Sequence, residues 1–296
     1  MKTGAKISFP ARFGRLGGLT AVIFAVALAA MTLPSQGFAQ GAGDLLVTPT
    51  RVVLQGRERS AQLAIANKGS ASATYRITII NMKMDETGNL TQIDDPASGQ
   101  QFADKLIRYS PRQVTLKPGE SQAVRVLLRK TKDLKDGEYR SHIQFRSVPK
   151  EGGQSVEQST SSEGVQVQLI PIYGITIPVI VRQGETSLSV GLSDMKVLPP
   201  EGESKLSTLD LSISRDGTKS AFGDLTATYK PSGGTPLIIG QINRIAVYTP
   251  NKVRNVAMRL RIPDGVNLSG GTLHLAYNEI PENGGELMAE SEISLP

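Results

Sequence analysis

Residues 165–182 read VQVQLIPIYGITIPVIVR. In the first five positions Val165, Val167 and Leu169 alternate with Gln166 and Gln168, the period of a strand with one apolar face. From Ile170 to Val181 the run turns almost wholly apolar, as in a strand covered on both faces. On periodicity this is a half-buried sandwich strand passing into a buried interdomain segment. Its other reading is a long strand whose exposed apolar side chains are lent to another polypeptide. In that mode main-chain hydrogen bonds give affinity and alternate side chains fill pockets. Pro171 and Pro178 bear on both, because proline donates nothing to a ladder and is tolerated only on a free edge or at a bulge.

Outward from this stretch, the pattern stays β. Residues 45–54, 61–66, 73–81, 122–129 and 138–147 alternate with period two or are rich in β-branched side chains. Between them stand turn signals such as Asn67-Lys68-Gly69, Lys117-Pro118-Gly119 and Lys135-Asp136-Gly137, where Gly supplies positive φ and Pro fixes φ near −65°. A polar, low-complexity run from Lys150 to Gly164 reads as a loop interrupting two strands. Gln183-Gly184-Glu185-Thr186 reads as the linker, since a second series of about seven strands follows at 187–193, 206–214, 222–229, 236–248, 256–262, 271–278 and 287–295. The fold class expected is all-β, two sandwiches of about seven strands each, with no amphipathic helix competing.

The N-terminus sets the compartment. Residues 1–40 carry Lys2, Lys6, Arg12 and Arg15 with no acid, then the apolar run 19–30, then Pro34, Gly37 and Ala39. That is the order of a secretory signal peptide, and the apolar run is too short to span a bilayer comfortably. The chain of 296 residues has a formal charge of +6, and cleavage near Ala39 or Gln40 removes four basic residues, leaving 29 basic against 27 acidic. The basic excess is therefore mostly the leader's, and nothing supports a nucleic-acid partner. The expected domains are a signal peptide at 1–40, a first sandwich at 41–182, a hinge at 183–186 and a second sandwich at 187–296.

The composition also narrows the chemistry. With no cysteine and only His142 and His274, cystine scaffolds, zinc fingers and iron–sulfur sites are excluded, and neither a metal nor another cofactor is expected. There is no GxSxG elbow, no HExxH pair and no phosphate-cradling loop, so an enzyme is not expected. Asp94 and Asp95 beside Pro96 read as a solvated turn, and His142, sharing parity with Arg140 and Gln144, reads as exposed or packed at a strand edge. Arg51 is the unusual charge, set inside the apolar run 45–54 on the parity of Val47 and Val53. It reads either as an edge residue whose stem packs while its guanidinium reaches water, or as a fixed cation facing a cleft, able to hold a carboxylate through two parallel hydrogen bonds.

Several segments in order resemble the PapD-like periplasmic pilus chaperones. They are VTPTRVVLQGRERSAQLAIANKG (47–69), YSPRQVTLKPGESQAVRVLL (109–128) with Gln122 and Arg125, DGEYR (136–140) followed by IQFRSVP, and IPVIVR (177–182). The resemblance covers roughly the first domain. It implies two immunoglobulin-like domains in an L-shaped arrangement and a periplasmic chaperone that folds and caps pilus or fimbrial subunits. In this mechanism, donor-strand complementation, a long chaperone strand fills the groove of an incomplete subunit, which is then delivered to an outer-membrane usher.

Carried onto this chain, the resemblance makes Arg51 the anchor of the subunit's terminal carboxylate and Val165, Val167, Leu169 and Tyr173 the donor side chains. The family's second anchor, a lysine, falls at Pro178, with Arg125 as a substitute elsewhere. The resemblance further implies an interdomain charge network of Glu138 and Arg182, with Glu279 from the second domain. Whether the chain without client caps itself as a homodimer is left open. The alternative is a secreted two-domain β-sandwich with a structural or adhesive role at the cell surface. Such a subunit would need a longer N-terminal extension than Gly41-Ala42-Gly43-Asp44.

Overall fold

The computed structural model describes residues 45–96, 98–149, 172–200 and 206–296. Eleven strands come first: β1 (Leu45–Thr48), β2 (Val52–Leu54), β3 (Ser60–Asn67), β4 (Ala73–Ile80), β5 (Met82–Met84), β6 (Leu90–Gln92), β7 (Ile107–Ser110), β8 (Gln113–Leu116), β9 (Ser121–Leu128), β10 (Gly137–Val148) and β11 (Gly174–Gln183). Seven more follow, close to the segments read in the sequence: β12 (Leu188–Leu198), β13 (Thr208–Gly217), β14 (Ala221–Lys230), β15 (Leu237–Val247), β16 (Val253–Arg259), β17 (Thr272–Glu279) and β18 (Leu287–Ser294). The sole helix among the described residues is the single 3-10 turn Pro281–Asn283.

The first group makes two facing sheets, β1-β3-β9-β7 and β2-β11-β10-β4-β8, plus the hairpin β5-β6. Period-two strands give each sheet one apolar face. In β9, Val124, Val126 and Leu128 are buried while Arg125 and Leu127 are exposed. The buried faces meet in a core that includes Leu63, Ile65, Tyr75, Ile77, Ile143, Phe145 and Val179. The second group makes β12-β13-β16 and β15-β14-β17-β18 around its own core of Leu211, Ile213, Leu225, Tyr229, Leu275 and Tyr277. Both groups are immunoglobulin-like sandwiches, and the molecule is all-β.

The turn read at Asn67 has a buried anchor. The Asn67 side chain is fully buried; its Nδ2 donates to the Ala71 carbonyl at 2.8 Å and the Leu116 carbonyl at 3.0 Å, and its Oδ1 accepts from Gly69 N at 2.9 Å. Its backbone carbonyl takes Gly119 N at 2.8 Å, where Gly119 sits at φ +74°, so one asparagine ties together two turns.

The run 45–54 differs from its sequence reading in a way that matters for function. Alternation counted through it as one strand puts Val47, Arg51 and Val53 on one face. It is two strands in different sheets: β1 pairs with β3, the chain bends at Pro49 and Thr50, and β2 pairs in parallel with β11. The buried parity reverses across the bend, with Val47 buried before it and Val52 and Leu54 after it. Arg51 and Val53 are thereby turned away from the first core. Val53 packs instead on a third apolar cluster, Met84, Ile180, Ala246 and Tyr248 with Phe222, built from both sandwiches.

The hairpin β5-β6 completes that junction. Asn251 Nδ2 donates to the carbonyls of Met84 at 3.0 Å and Asp85 at 3.1 Å, and Asn255 N donates to the Glu86 carbonyl at 2.6 Å. Gly88, at φ +90°, lies against the Arg254 guanidinium so closely that a Cβ would collide with it.

Candidate functional site

β10 carries the residues that matter most. Its odd positions Ile143 and Phe145 enter the first core, as alternation requires. Its even positions Glu138, Arg140 and His142 are buried as well, because the second sandwich covers that face. The sequence reading of His142 as exposed or at a strand edge is therefore corrected: it is 1% exposed, in a central position of its sheet, between Pro178 of β11 and Ile80 of β4. A face that would meet water in an isolated domain meets another domain here.

The cleft is organised around the Tyr248 ring, immediately after β15. The Arg140 Cζ lies 4.0 Å from its centroid and the Arg51 Cζ 5.4 Å, while Arg51 also stacks over Phe222 at 4.1 Å. Arg51 Nη1 donates to the Tyr248 hydroxyl at 3.1 Å. His142 meets the same ring edge-on, with centroids 6.5 Å apart and planes at 89°. Cations over aromatic faces are attracted by the ring quadrupole, which accounts for this grouping without a carboxylate.

Burial dominates the electrostatics. It pushes Arg140 down to about 10, against the favourable fields of Tyr248 and Glu138 and with the repulsion of Arg51, so the guanidinium stays charged at neutral pH. Burial, then the nearby Arg140 and Arg51 charges, pushes His142 down to about 3, so its imidazole is neutral.

A second polar group ties the two sandwiches beside the cleft. The Glu138 carboxylate accepts from Arg182 Nε at 3.1 Å and from the backbone N–H of Ser220 at 3.1 Å, and it makes a further short hydrogen bond with the Ser220 hydroxyl. Arg182 also reaches Gln55 Oε1 at 3.2 Å. The pairing of Glu138 with Arg182 thus joins two of the three residues assigned to an interdomain charge network. Glu279 does not join them: it lies at the end of β17, its N–H donates to the Glu286 carbonyl at 2.8 Å, and among the described residues it makes no ion pair. Ser220 takes the second-domain position with an N–H and a hydroxyl, the donors a buried carboxylate needs. Arg215 is set nearby and spends its guanidinium on the carbonyls of Asn251, Gly217, Lys219 and Pro250.

The end of β11 leaves an edge. Along its length β11 pairs with β10, but β2 covers only Val179–Val181, so among the described residues Gly174–Pro178 has a partner on one side. Pro178 sits one residue before the covered part, where a missing N–H costs the sheet no bond to β2. Tyr173 continues the pairing, its carbonyl accepting from Ser147 N at 2.8 Å and its own N–H donating to Ser147 Oγ at 3.0 Å. Its side chain is 53% exposed, beside Ile172 at 47%. Val165, Val167 and Leu169 lie outside the described residues. Arg125, the substitute second anchor, is exposed in β9, paired with Gln62 and Ser110 in the sheet that does not contain Arg140. No group of three or more His, Asp or Glu among the described residues could hold a metal.

The sequence reading missed Arg140 and Tyr248. The signal for Arg140 was present in the spacing Glu138, Arg140, His142, three polar residues on one parity of an otherwise apolar strand. No local signal could have placed Tyr248 of the second sandwich across from them.

Two immunoglobulin-like sandwiches thus meet at a buried pair of arginines around Tyr248, with a one-sided strand edge in β11. Residues 44–182 match the family of pili and flagellar-assembly chaperones, PapD N-terminal domain. The match spans the first sandwich, a little under half of the chain. Among solved structures it is similar to the YadV chaperone, with 13% identity over 86% of this chain and 100% of that one at a TM-score of 0.43. It is also similar to the Pseudomonas aeruginosa CupB2 chaperone, with 11% identity over 85% and 100% at 0.42. A third similarity is to the Salmonella enterica SafA pilin in complex with the SafB chaperone, with 14% identity over 87% and 99% at 0.40. No curated protein matches the sequence significantly.

Proposed function

We propose that this chain is a periplasmic chaperone that folds and caps pilus or fimbrial subunits by donor-strand complementation and passes them to an outer-membrane usher. The observation that carries this reading is the one-sided edge Gly174–Pro178, running from exposed Ile172 and Tyr173 toward a cleft that contains Arg51. A client strand adding to that edge would gain main-chain hydrogen bonds, and alternating side chains at Val165, Val167, Leu169 and Tyr173 would fill its open core. Three such side chains buried in a client contribute about 1.5–3 kcal/mol each. Arg51 anchors the client's terminal carboxylate, a charge-assisted bond that fixes register. In this reading residues 1–40 are a cleaved signal peptide, and 183–186 form the hinge between the domains 41–182 and 187–296.

The test is periplasmic co-expression with the candidate subunits encoded beside it, followed by co-purification. A subunit with an incomplete sandwich is expected to co-purify one to one. Val167→Asp or Leu169→Asp should leave the chaperone folded and exported but abolish recovery of the complex. Arg51→Ala should weaken the complex by about 2 kcal/mol or more, roughly 30-fold. Undiminished complex from the two strand variants would refute the donor-strand mechanism.

A further inference from the structure

Away from the junction, the outer face of the sheet β2-β11-β10-β4-β8 holds two like charges side by side. Arg146 of β10 stands directly opposite Arg76 of β4, and both are exposed. The core sets their direction: Phe145 of β10 and Tyr75 and Ile77 of β4 point inward, so the two arginines point out. Like charges directly opposite one another weaken a strand pair. The rest of the sheet does nothing to offset this. Residues 73–80, 113–116, 141–148 and 174–183 contain no Asp or Glu. The one acid of these strands, Glu138, lies at the far end of β10, engaged by Arg182 and Ser220. The flanking side chains on the face are neutral and polar, with Gln113 registered beside Arg76 and Gln144 beside Thr78.

The position of the pair shows what it can serve. Arg146 is four residues past the buried His142, about 13 Å along the strand, where the second sandwich no longer covers β10. On its other side Arg146 is registered with Gly174, the first residue of the one-sided part of β11. At a strand spacing of about 5 Å, Arg146 is one step and Arg76 two steps from that edge. A polypeptide seated on Gly174–Pro178 therefore comes within a Debye length, about 8 Å at physiological salt, of a guanidinium.

We infer that Arg76 and Arg146 form a docking surface for an acidic patch, Asp and Glu side chains on the outer surface of the client subunit held at Gly174–Pro178, and that they speed its capture. This rests on the reading of that edge as the client's seat. It concerns the client's surface carboxylates and not its chain terminus. Exposed charges at the rim of an interface act on the association rate more than on dissociation, and a face of one sign favours subunits of the other.

The test uses the subunit that co-purifies with the full chain. The subunit is diluted from urea into wild-type or variant chaperone, and complex formed at timed intervals is measured on native gels. At low salt, Arg76→Gln/Arg146→Gln should slow capture about 10-fold, and at high salt, where exposed charges are screened, by less than about 2-fold. Arg76→Lys/Arg146→Lys should keep most of the rate, because the charge remains. Free of client, each single Gln variant should unfold at or above the wild-type Tm, since a repulsion is relieved. A lower Tm with an unchanged rate marks two structural arginines and overturns the inference. Slowing that is equal at both salts overturns it as well, because the contact is then not one of charge. Arginine-dependent cosedimentation with phosphatidylglycerol vesicles, with subunit capture unchanged, assigns the face to a membrane surface and overturns it. A wild-type complex that the double Gln variant forms at the wild-type rate overturns this inference alone, whereas no complex with the wild-type chain removes the donor-strand reading and the inference together.

Discussion

Between pH 6.5 and pH 3 the wild-type chain should lose stability that a His142→Phe variant keeps, at up to about 1.4 kcal/mol per pH unit. Histidine is a base, and burial with two neighbouring guanidinium charges holds His142 at about 3, well below its ordinary value. In that interval the unfolded chain binds a proton that the folded chain refuses, so stability falls as the pH falls. Above pH 6.5 the imidazole is neutral in both states and contributes no slope. From pH 7 to pH 5 the expected wild-type loss from this residue is about 2 kcal/mol. Phenylalanine is the informative replacement because neither ring nitrogen has a hydrogen-bond partner among the described residues, so no bond is broken, and the edge contact with Tyr248 is kept. Urea unfolding of both proteins at pH 7 and pH 5 measures the difference. Equal losses would mean that His142 is hydrated or paired in solution.

Glu138→Ala should cost about 3 kcal/mol at neutral pH and loosen the two sandwiches from one another. The Glu138 side chain is fully buried and its carboxylate is held by Arg182, the Ser220 N–H and the Ser220 hydroxyl. Removing it strands a buried N–H of the second sandwich and leaves Arg182, whose side chain is 17% exposed, with Gln55 as its remaining side-chain partner. Ser220→Ala should cost less, about 1 kcal/mol, because Arg182 and the backbone N–H still satisfy the carboxylate. Denaturant unfolding gives the magnitudes, and limited proteolysis near 183–186 reports the loosening. A loss below about 1 kcal/mol for Glu138→Ala would show that the apolar junction of Met84, Ile180, Ala246 and Tyr248 holds the domains without it.

The all-β class was legible because strands with one buried face write their alternation into the residues. In β9 the pattern Val124, Val126, Leu128 inside and Arg125, Leu127 outside can be read directly. The same logic failed in two places, for two reasons. At 45–54 the chain changes sheets at Pro49 and Thr50, so a parity counted through the bend assigns Arg51 to the wrong face. At Glu138, Arg140 and His142 the polar residues sit on the expected side, but that side is covered by another domain.

The sequence by itself determined the strands, their turns and the family resemblance of the first domain, because each is encoded in near neighbours along the chain. Only the tertiary structure decided that Ser220 and not Glu279 meets Glu138, that His142 is buried and neutral, and that Arg140 faces Arg51 across Tyr248. The Ser220 and Tyr248 contacts join residues about 80 to 200 positions apart. Such contacts follow from how one sandwich lands on another, and the burial that keeps His142 neutral does not exist until it has landed.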